Sequence, residues 1–296
     1  MKDDNLDQLD VSVIVPAKNE KASIGAVVGQ IARVVPNAEI IVVDDGSDDG
    51  TGELARDAGA RVIRHPYSKG NGAAVKTGAR NAKGRILVFM DADGQHDAED
   101  IKKLLRQIRD GYDLSVGARQ KGSQASIGRG LANRIYNSLA SYMTGQRIKD
   151  LTSGFRGAKA EKFREFLNLL PNGFSYPTTS TMAFFRAGYS VGYVPIDAGK
   201  RVGKSHINIL RDGARFLLII FKIGTLYSPL KLFVPLAALL FLLGAGYYGY
   251  TYATVSRFTN MSALMLSTSL VIFLIGLVSE QITQLLYSES PDDAGK

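Results

Sequence analysis

The 296-residue chain contains no cysteine, which excludes disulfide frameworks and thiolate metal sites. Its three histidines, His65, His96 and His206, are dispersed and form no metal-ligand spacing. No Gly-x-Gly-x-x-Gly turn follows the first strand. The first apolar run leads instead into Pro16-Ala17-Lys18-Asn19-Glu20, which disfavours a Rossmann-type dinucleotide site. There is no internal repeat, no low-complexity tract and no aromatic-rich basic repeat, so nucleic acid is not expected as a partner despite the formal net charge of +8. The opening Met-Lys-Asp-Asp-Asn-Leu-Asp is acidic and polar and predicts no secretory signal. Acids are scarce where the positive excess gathers. Between positions 200 and 222 the six cations Lys200, Arg201, Lys204, Arg211, Arg215 and Lys222 face one acid, Asp212. That cluster precedes the most apolar part of the chain, which favours an anionic membrane surface as its partner.

The first 200 residues alternate between two patterns. Short β-branched runs at 11–15, 40–43, 62–63, 86–90 and 114–116 are bounded by turn residues, as buried parallel strands are. Helical patterns fill the gaps at about 24–34, 50–58, 72–82 and 97–109, the last preceded by Asp97 with Asp100 three residues on. This alternation predicts an α/β fold with a mostly parallel sheet. Beyond Arg119 the pattern loosens into a long helix near 127–145 and strand candidates at 154–157 and 191–195.

Two segments are long and apolar enough to span a bilayer. Residues 232–255 carry no charge, and neither do residues 262–279, which are followed by Glu280. Pro235 falls in the first turn of the first span, where a missing N–H costs little. Tyr247, Tyr248, Tyr250 and Tyr252 gather near its far end, as interfacial aromatics do. The alternative is a helical hairpin buried in a soluble core. Positive charge before the first span, and only Arg257 between the spans, predicts a cytoplasmic N-terminal part and a multi-pass protein of the inner membrane. Residues 207–222 read as a basic amphipathic helix that lies in the headgroup region or packs on the N-terminal domain.

Chemistry concentrates at the strand ends. Asp91-Ala92-Asp93-Gly94-Gln95 follows the apolar run 86–90 directly, so two carboxylates stand at the mouth of the sheet, where ligands of such folds bind. Hard oxygen donors at that spacing suit Mg²⁺ or Mn²⁺ carrying a diphosphate, although Asp is also common at strand ends and helix caps. The second strand ends in Asp44-Asp45-Gly46-Ser47. A carboxylate there accepts from a base or ribose, or else serves turn chemistry. Lys69-Gly70-Asn71-Gly72 opens a helix; its glycines let backbone amides approach an anion, and a plain tight turn explains them equally.

The order of Val13-Ile-Val-Pro-Ala-Lys-Asn-Glu20, Val42-Val-Asp-Asp-Gly-Ser47, Lys69-Gly-Asn-Gly72 and Asp91-Ala-Asp-Gly-Gln95 resembles the family 2 glycosyltransferases of the GT-A fold. Gly117-Ala-Arg119, Asp150-Leu-Thr-Ser-Gly-Phe-Arg156 and Arg201-Val-Gly-Lys-Ser205 resemble the branch of dolichol-phosphate mannose synthases and bacterial polyprenyl-phosphate glycosyltransferases. The resemblance covers about residues 11–287. It implies a cytoplasmic GT-A nucleotide-sugar-binding catalytic domain over 1–205, an interfacial amphipathic segment over 206–228, a two-helix transmembrane anchor over 229–287 and a cytoplasmic tail over 288–296. It also implies transfer of one sugar from a nucleoside diphosphate sugar, of the GDP-mannose or UDP-hexose type, to polyprenyl phosphate, and it leaves room for an oligomer.

Position by position, the resemblance implies that Pro16, Ala17, Asn19 and Glu20 line the base and ribose, with Asp44 holding one of them. Lys69 and Ala92 join the donor site. Asp91 and Asp93 bind the donor through Mg²⁺ or Mn²⁺, and Gln95 completes that set. Arg119, Arg129 and Ser205 meet the acceptor phosphate, and Arg201 closes over the diphosphate. A planar guanidinium pairs bidentately with phosphate oxygens, whereas the plainer reading of Arg119 and Arg129 is solvated surface charge. Arg156 is expected to pair with Asp150. His206 beside the basic segment is either a phosphate contact or solvated.

One departure from the family pattern carries information. Where many relatives have acids, after Asn172-Gly-Phe-Ser-Tyr176, this chain reads Pro177-Thr178-Thr179-Ser180-Thr181. A hydroxyl acceptor, whether on a glycan or on diacylglycerol, needs a base to take its proton. A phosphate monoester, with a second pKa near about 6, does not.

Overall fold

The computed structural model of the protein describes residues 9–119, 127–173, 175–197, 221, 225 and 227–288, apart from the side chains of 127–133, 135 and 286–288. The chain forms two compact units, Met1–His206 and Ile207–Lys296.

In the first unit the strands are β1 (Val11–Ala17), β2 (Glu39–Asp44), β3 (Arg61–Arg64), β4 (Ile86–Phe89), β5 (Leu114–Arg119), β6 (Arg156–Lys159) and β7 (Val191–Ile196). Between them run α1 (Ile24–Val34), α2 (Thr51–Asp57), α3 (Asn71–Asn81), α4 (Asp100–Arg109), α5 (Ile127–Thr144), α6 (Ala160–Glu165) and α7 (Tyr176–Arg186). The strands form one sheet in the order β3-β2-β1-β4-β6-β5-β7, and β6 alone runs antiparallel, between β4 and β5. Helices cover a parallel sheet on its faces, so its central strands are apolar without alternation. Val13, Ile14, Val15, Ile41, Val42, Val43, Leu87, Val88 and Phe89 accordingly have no exposed surface. In α1 the buried positions Ile24, Val27, Val28 and Ile31 make a single apolar stripe at helical spacing, turned to the core.

Register then sets which residues share the functional end. Ala17 lies opposite Asp44 and Phe89 opposite Arg156, while Val116 lies opposite Arg156 on the other side. The C-terminal ends of β1, β2, β4 and β5 and the start of β6 therefore open on the same edge. The sixth strand is displaced by two residues from the expected 154–157, because Ser153, Gly154 and Phe155 are used in a loop beside Asp91. Helix α4 likewise starts three residues later than the expected 97: the Asp97 carboxylate accepts the Glu99 amide at 2.9 Å and forms a turn before the helix. Helices α6 and α7 were not anticipated. The buried surface of α7 is largely hydroxyl (Thr178, Thr179, Ser180, Thr181), so no apolar period marks it, and Pro177 near its start is its one sequence signal.

In the second unit, α8 (Pro229–Val255) and α9 (Asn260–Ser288) form a hairpin. Both helices are long and apolar enough to cross a membrane, and fewer than a fifth of the positions in either apolar stretch are buried. Small residues let the helices approach: a Cβ on Gly276 would lie 2.8 Å from Phe233, and one on Gly244 3.0 Å from Met265. Ser269 donates to the carbonyl of Ala237 at 2.8 Å. The second helix extends beyond the uncharged stretch 262–279 and takes in Glu280, whose carboxylate accepts the Leu230 amide at the start of α8 at 3.4 Å. The amphipathic segment expected over 207–222 lies outside the described residues except at 221.

Helix α3 lies flat on β1 because Gly78 faces Ile14, where even one added carbon collides with the side chain. Gly78→Val is expected to destabilise the first unit by about 1–3 kcal/mol, read as a lowered Tm of the detergent-solubilised chain.

Candidate active site

The two loops after β1 and β2 are clasped together. Asn19 takes a left-handed backbone conformation (φ 54°), which Asn tolerates better than most residues. Its amide donates to Oγ of Ser47 at 3.0 Å, and its Oδ1 accepts the Asp48 amide at 3.2 Å. The amide of Glu20 donates to Thr51 Oγ1 at 2.9 Å. Pro16, Ala17 and Asp44 lie side by side at this edge. Asp44 is buried; Oδ1 accepts the Ser47 amide at 2.8 Å, while Oδ2 has no hydrogen-bond partner among the described residues, the half-exposed Arg64 standing off with Nε at 3.6 Å. A Cβ on Gly52 would stand 2.8 Å from that oxygen, so glycine there keeps its surroundings open. A buried acceptor without a donor suits a ligand's N–H or O–H.

The neighbouring Asp45 is structural. Its carboxylate accepts hydrogen bonds from His65 Nδ1 at 2.7 Å and from Ser68 Oγ and the amides of Lys69 and Gly70 at 2.8 Å each. Burial pushes this carboxyl up, and the bonds from His65, Lys69, Ser68 and Gly70 outweigh it and bring it to about 2. Two amides expected to approach an anion are thus occupied. The start of α3 is covered as well, since the Ala73 amide donates to the Asn172 carbonyl at 3.1 Å and a Cβ on Gly72 would strike the carbonyl of Pro171. The Lys69-Gly70-Asn71-Gly72 glycines therefore serve a tight turn and close packing. The Lys69 ammonium stands 5.7 Å over the Tyr67 ring.

Beyond β4, Asp91, Ala92, Asp93 and Gln95 form a tight loop in which the Gln95 amide donates to Asp93 Oδ1 at 3.1 Å. Asp91 points into the mouth of the sheet. Desolvation first, then Asp93, raise its pKa, and His96, Arg119 and Arg156 oppose them; 37% of its side chain still meets solvent, which weakens every one of these effects. A Cβ on Gly154 would lie 3.0 Å from Asp91 Oδ2, so glycine leaves the carboxylate uncovered. His96 is 9% exposed and stacks on Phe155, with ring centroids 5.0 Å apart and planes at 16°. Burial lowers its pKa, against the pull of Asp91 and Asp93. Among the described residues no group of three His, Asp or Glu side chains could hold a metal unaided. Two carboxylates and the side-chain carbonyl oxygen of Gln95 nevertheless fit Mg²⁺ or Mn²⁺, which bind through one or two carboxylates and take their other ligands from substrate phosphates and water.

The arginines sort differently from expectation. Asp150 pairs with Arg119, not with Arg156: Oδ2 accepts from Nε at 2.8 Å and Oδ1 from Nη2 at 3.0 Å, and Nη2 also donates to Thr152 Oγ1 at 2.6 Å. Burial pushes the Asp150 carboxyl up, and the Arg119 guanidinium holds it below its ordinary value. Arg119 therefore sits at the end of β5 in a fixed plane, 29% of its side chain exposed. Arg156 is fully buried in the sheet. It donates to the Ser153 carbonyl, to the Pro177 carbonyl and Ser180 Oγ at 2.8 Å each, and to Thr181 Oγ1 at 3.1 Å. Its guanidinium carbon also stands 5.8 Å from the centre of the Tyr176 ring. None of these hydrogen bonds goes to a carboxylate. Arg129 lies in α5 with its side chain outside the described residues, and Arg201, Ser205 and His206 lie outside them altogether.

Sequence reading missed the structural work of Asp45, His65 and Arg156 and the placement of His96. Adjacency was the available signal for His96, which follows Gln95 directly. No local pattern signals Arg156, whose hydroxyl partners Ser180 and Thr181 lie about 25 residues further along the chain.

Because the folded Asp45 titrates lower than an unfolded aspartate, its contribution is complete above about pH 4 and lost as pH falls through about 2. Asp45→Asn is expected to cost about 1.5–3 kcal/mol at neutral pH. Thermal unfolding of variant and wild type should converge between pH 4 and 2; a constant gap across that window would contradict this account.

Comparison with known proteins follows the same division of the chain. The glycosyl transferase family 2 model matches residues 12–167, and a model described as the GtrB C-terminal hairpin matches residues 228–285. Glycosyltransferase AglJ of Haloferax volcanii is 28% identical over 291 residues, covering 93% of this chain and 94% of the relative. Dolichyl-phosphate hexose transferase of the same organism is 32% identical over 207 residues, 69% of this chain and 90% of the relative. Among solved structures, glucosyl-3-phosphoglycerate synthase from Mycobacterium tuberculosis in complex with Mg²⁺ and UDP shares the fold with a TM-score of 0.60 at 24% identity, over 75% of this chain and 82% of that one. The first unit is therefore a GT-A-like α/β domain, and the second carries two candidate membrane spans. With the family model covering more than half of its length, the chain belongs to glycosyl transferase family 2.

Proposed function

We propose that this enzyme is a membrane-anchored, inverting glycosyltransferase that moves one sugar from a nucleoside diphosphate sugar to polyprenyl phosphate at the cytoplasmic face of the membrane. The observation that carries the choice of acceptor is the state of α7. The segment 177–181 has no carboxylate, and its Ser180 and Thr181 hydroxyls and Pro177 carbonyl are spent on Arg156. This helix offers no base for an alcohol acceptor, and a phosphate acceptor needs none. The dolichyl-phosphate hexose transferase relative and the apolar hairpin support the same acceptor.

Within this reading, Asp44 Oδ2 accepts a hydrogen bond from the base or ribose, and Pro16, Ala17, Asn19 and Glu20 line that end of the donor site. Asp91, Asp93 and Gln95 hold Mg²⁺ or Mn²⁺, which when bound supplies charge neutralisation at the departing diphosphate. Arg119, fixed by Asp150, faces the acceptor phosphate together with Arg129 and Ser205, and Arg201 closes over the diphosphate. A lipid phosphate oxygen attacks the anomeric carbon in line, the bond to the diphosphate breaks, and the nucleoside diphosphate leaves with the electron pair. Anchoring confines acceptor and enzyme to one plane and raises their encounter rate.

Labelled sugar should pass to a short polyprenyl phosphate and not to diacylglycerol; transfer to diacylglycerol alone would replace this reading with a hydroxyl acceptor. Asp93→Ala should lower transfer by at least about 10²–10³-fold, the scale of losing one preorganised electrostatic contact, with circular dichroism and Tm unchanged. Near-normal turnover in that variant would remove the metal role.

A further inference from the structure

Outside the residues already given roles, the group closest to the acidic loop is His96. Its ring is nine-tenths buried and held flat against Phe155, itself fully buried, so the plane of the imidazole is fixed. Nε2 points toward Asp91, 3.9 Å from Oδ2. Nδ1 is buried and has no hydrogen-bond partner among the described residues. A neutral imidazole carries its proton on one nitrogen, and here only Nε2 has an acceptor in reach, so the proton belongs there. A modest rotation of the Asp91 carboxylate closes the remaining gap to hydrogen-bond distance, as hydrogen bonds in ligand-free sites commonly tighten on binding. No hydrogen bond to Asp91 is seen among the described residues, and glycine at 154 leaves the space beside Oδ2 free of a side chain.

We propose that His96 is a positioning residue: through its Nε2–H it fixes the rotation of the Asp91 carboxylate and so sets the affinity of the Asp91, Asp93 and Gln95 loop for its divalent ion. This rests on the metal reading given above. A flat ring pinned by Phe155 costs little further entropy when it orients a neighbour, which a flexible donor such as lysine could not match. The N–H also satisfies one carboxylate lone pair, leaving the rest of the group for the ion, as the outer partners of metal ligands do.

The test compares full-length wild type with His96→Phe, which keeps the stacked ring and removes the N–H, and with His96→Gln, which returns an N–H near the Nε2 position. Mn²⁺ is titrated into each detergent-solubilised protein in the presence of a fixed, saturating nucleoside diphosphate (UDP, and GDP in parallel) and followed by electron paramagnetic resonance of the free ion. The expected result is about 10–100-fold weaker Mn²⁺ binding in His96→Phe, the range for loss of an outer partner of a metal ligand, with recovery in His96→Gln and similar Tm values throughout. Equal Mn²⁺ affinity in wild type and His96→Phe overturns the proposal and leaves the metal reading intact. No Mn²⁺ binding by wild type overturns both. Should His96→Phe fail to fold, His96→Gln decides alone: near-wild-type affinity supports the N–H role, and a loss as large as that of Asp93→Ala overturns it.

Discussion

A full positive charge in the centre of a sheet has to be surrounded by oxygen, and Arg156 imposes that constraint on everything near it. Burying an unpaired ion costs several kcal/mol even after relaxation. The chain meets this with carbonyls and hydroxyls in place of a carboxylate. Three consequences follow. Ser153 is bound to the guanidinium, so the loop before β6 is fixed. Gly154 then comes to rest beside Asp91, and Phe155 beneath His96. The first turn of α7 is drawn onto the sheet, and Tyr176 closes the space over the cation, its hydroxyl donating to the Gly154 carbonyl at 3.3 Å.

The same economy governs the acids. Three carboxylates, Asp45 and Asp150 at the functional edge and Asp113 at the opposite one, have their oxygens filled from within: Asp45 by a turn and a histidine, Asp113 by Lys159, Lys162 and Ser190, and Asp150 by Arg119. Among the described residues Asp44 keeps one oxygen without a hydrogen bond, with only Arg64 standing off at 3.6 Å, and Asp91 keeps both free of hydrogen bonds. Satisfaction sets Asp44 and Asp91 apart from the other three, and depth in the fold does not: Asp44 and Asp45 are adjacent and both buried.

Much of this arrangement is legible in the sequence for a physical reason. Strands covered on both faces write themselves as unbroken β-branched runs, so 11–15, 40–43 and 86–90 were readable, and with them the residues at their ends. The hairpin was readable because its helices are apolar all round. Legibility fails where burial is achieved by polar groups. Helix α7 hides hydroxyls, Arg156 hides a charge, and periodicity of apolar residues registers neither. Nearness along the chain points to Arg156 as the partner of Asp150, whereas the sheet brings Arg119 to the end of β5 beside Asp150 and turns Arg156 inward between Phe89 and Val116.

The insertion of β6 between β4 and β5 bears on how the protein is made. On the ribosome β1, β2, β3 and β4 can assemble first, since each already has its neighbour in the emerged chain. From then until residues 156–159 emerge, β4 keeps one bare apolar edge, the kind of unpaired strand that recruits other chains. Some seventy residues separate the two partners. The nascent polypeptide therefore passes through a vulnerable interval before the acidic loop acquires the neighbours that shape it, and chaperone demand should peak there.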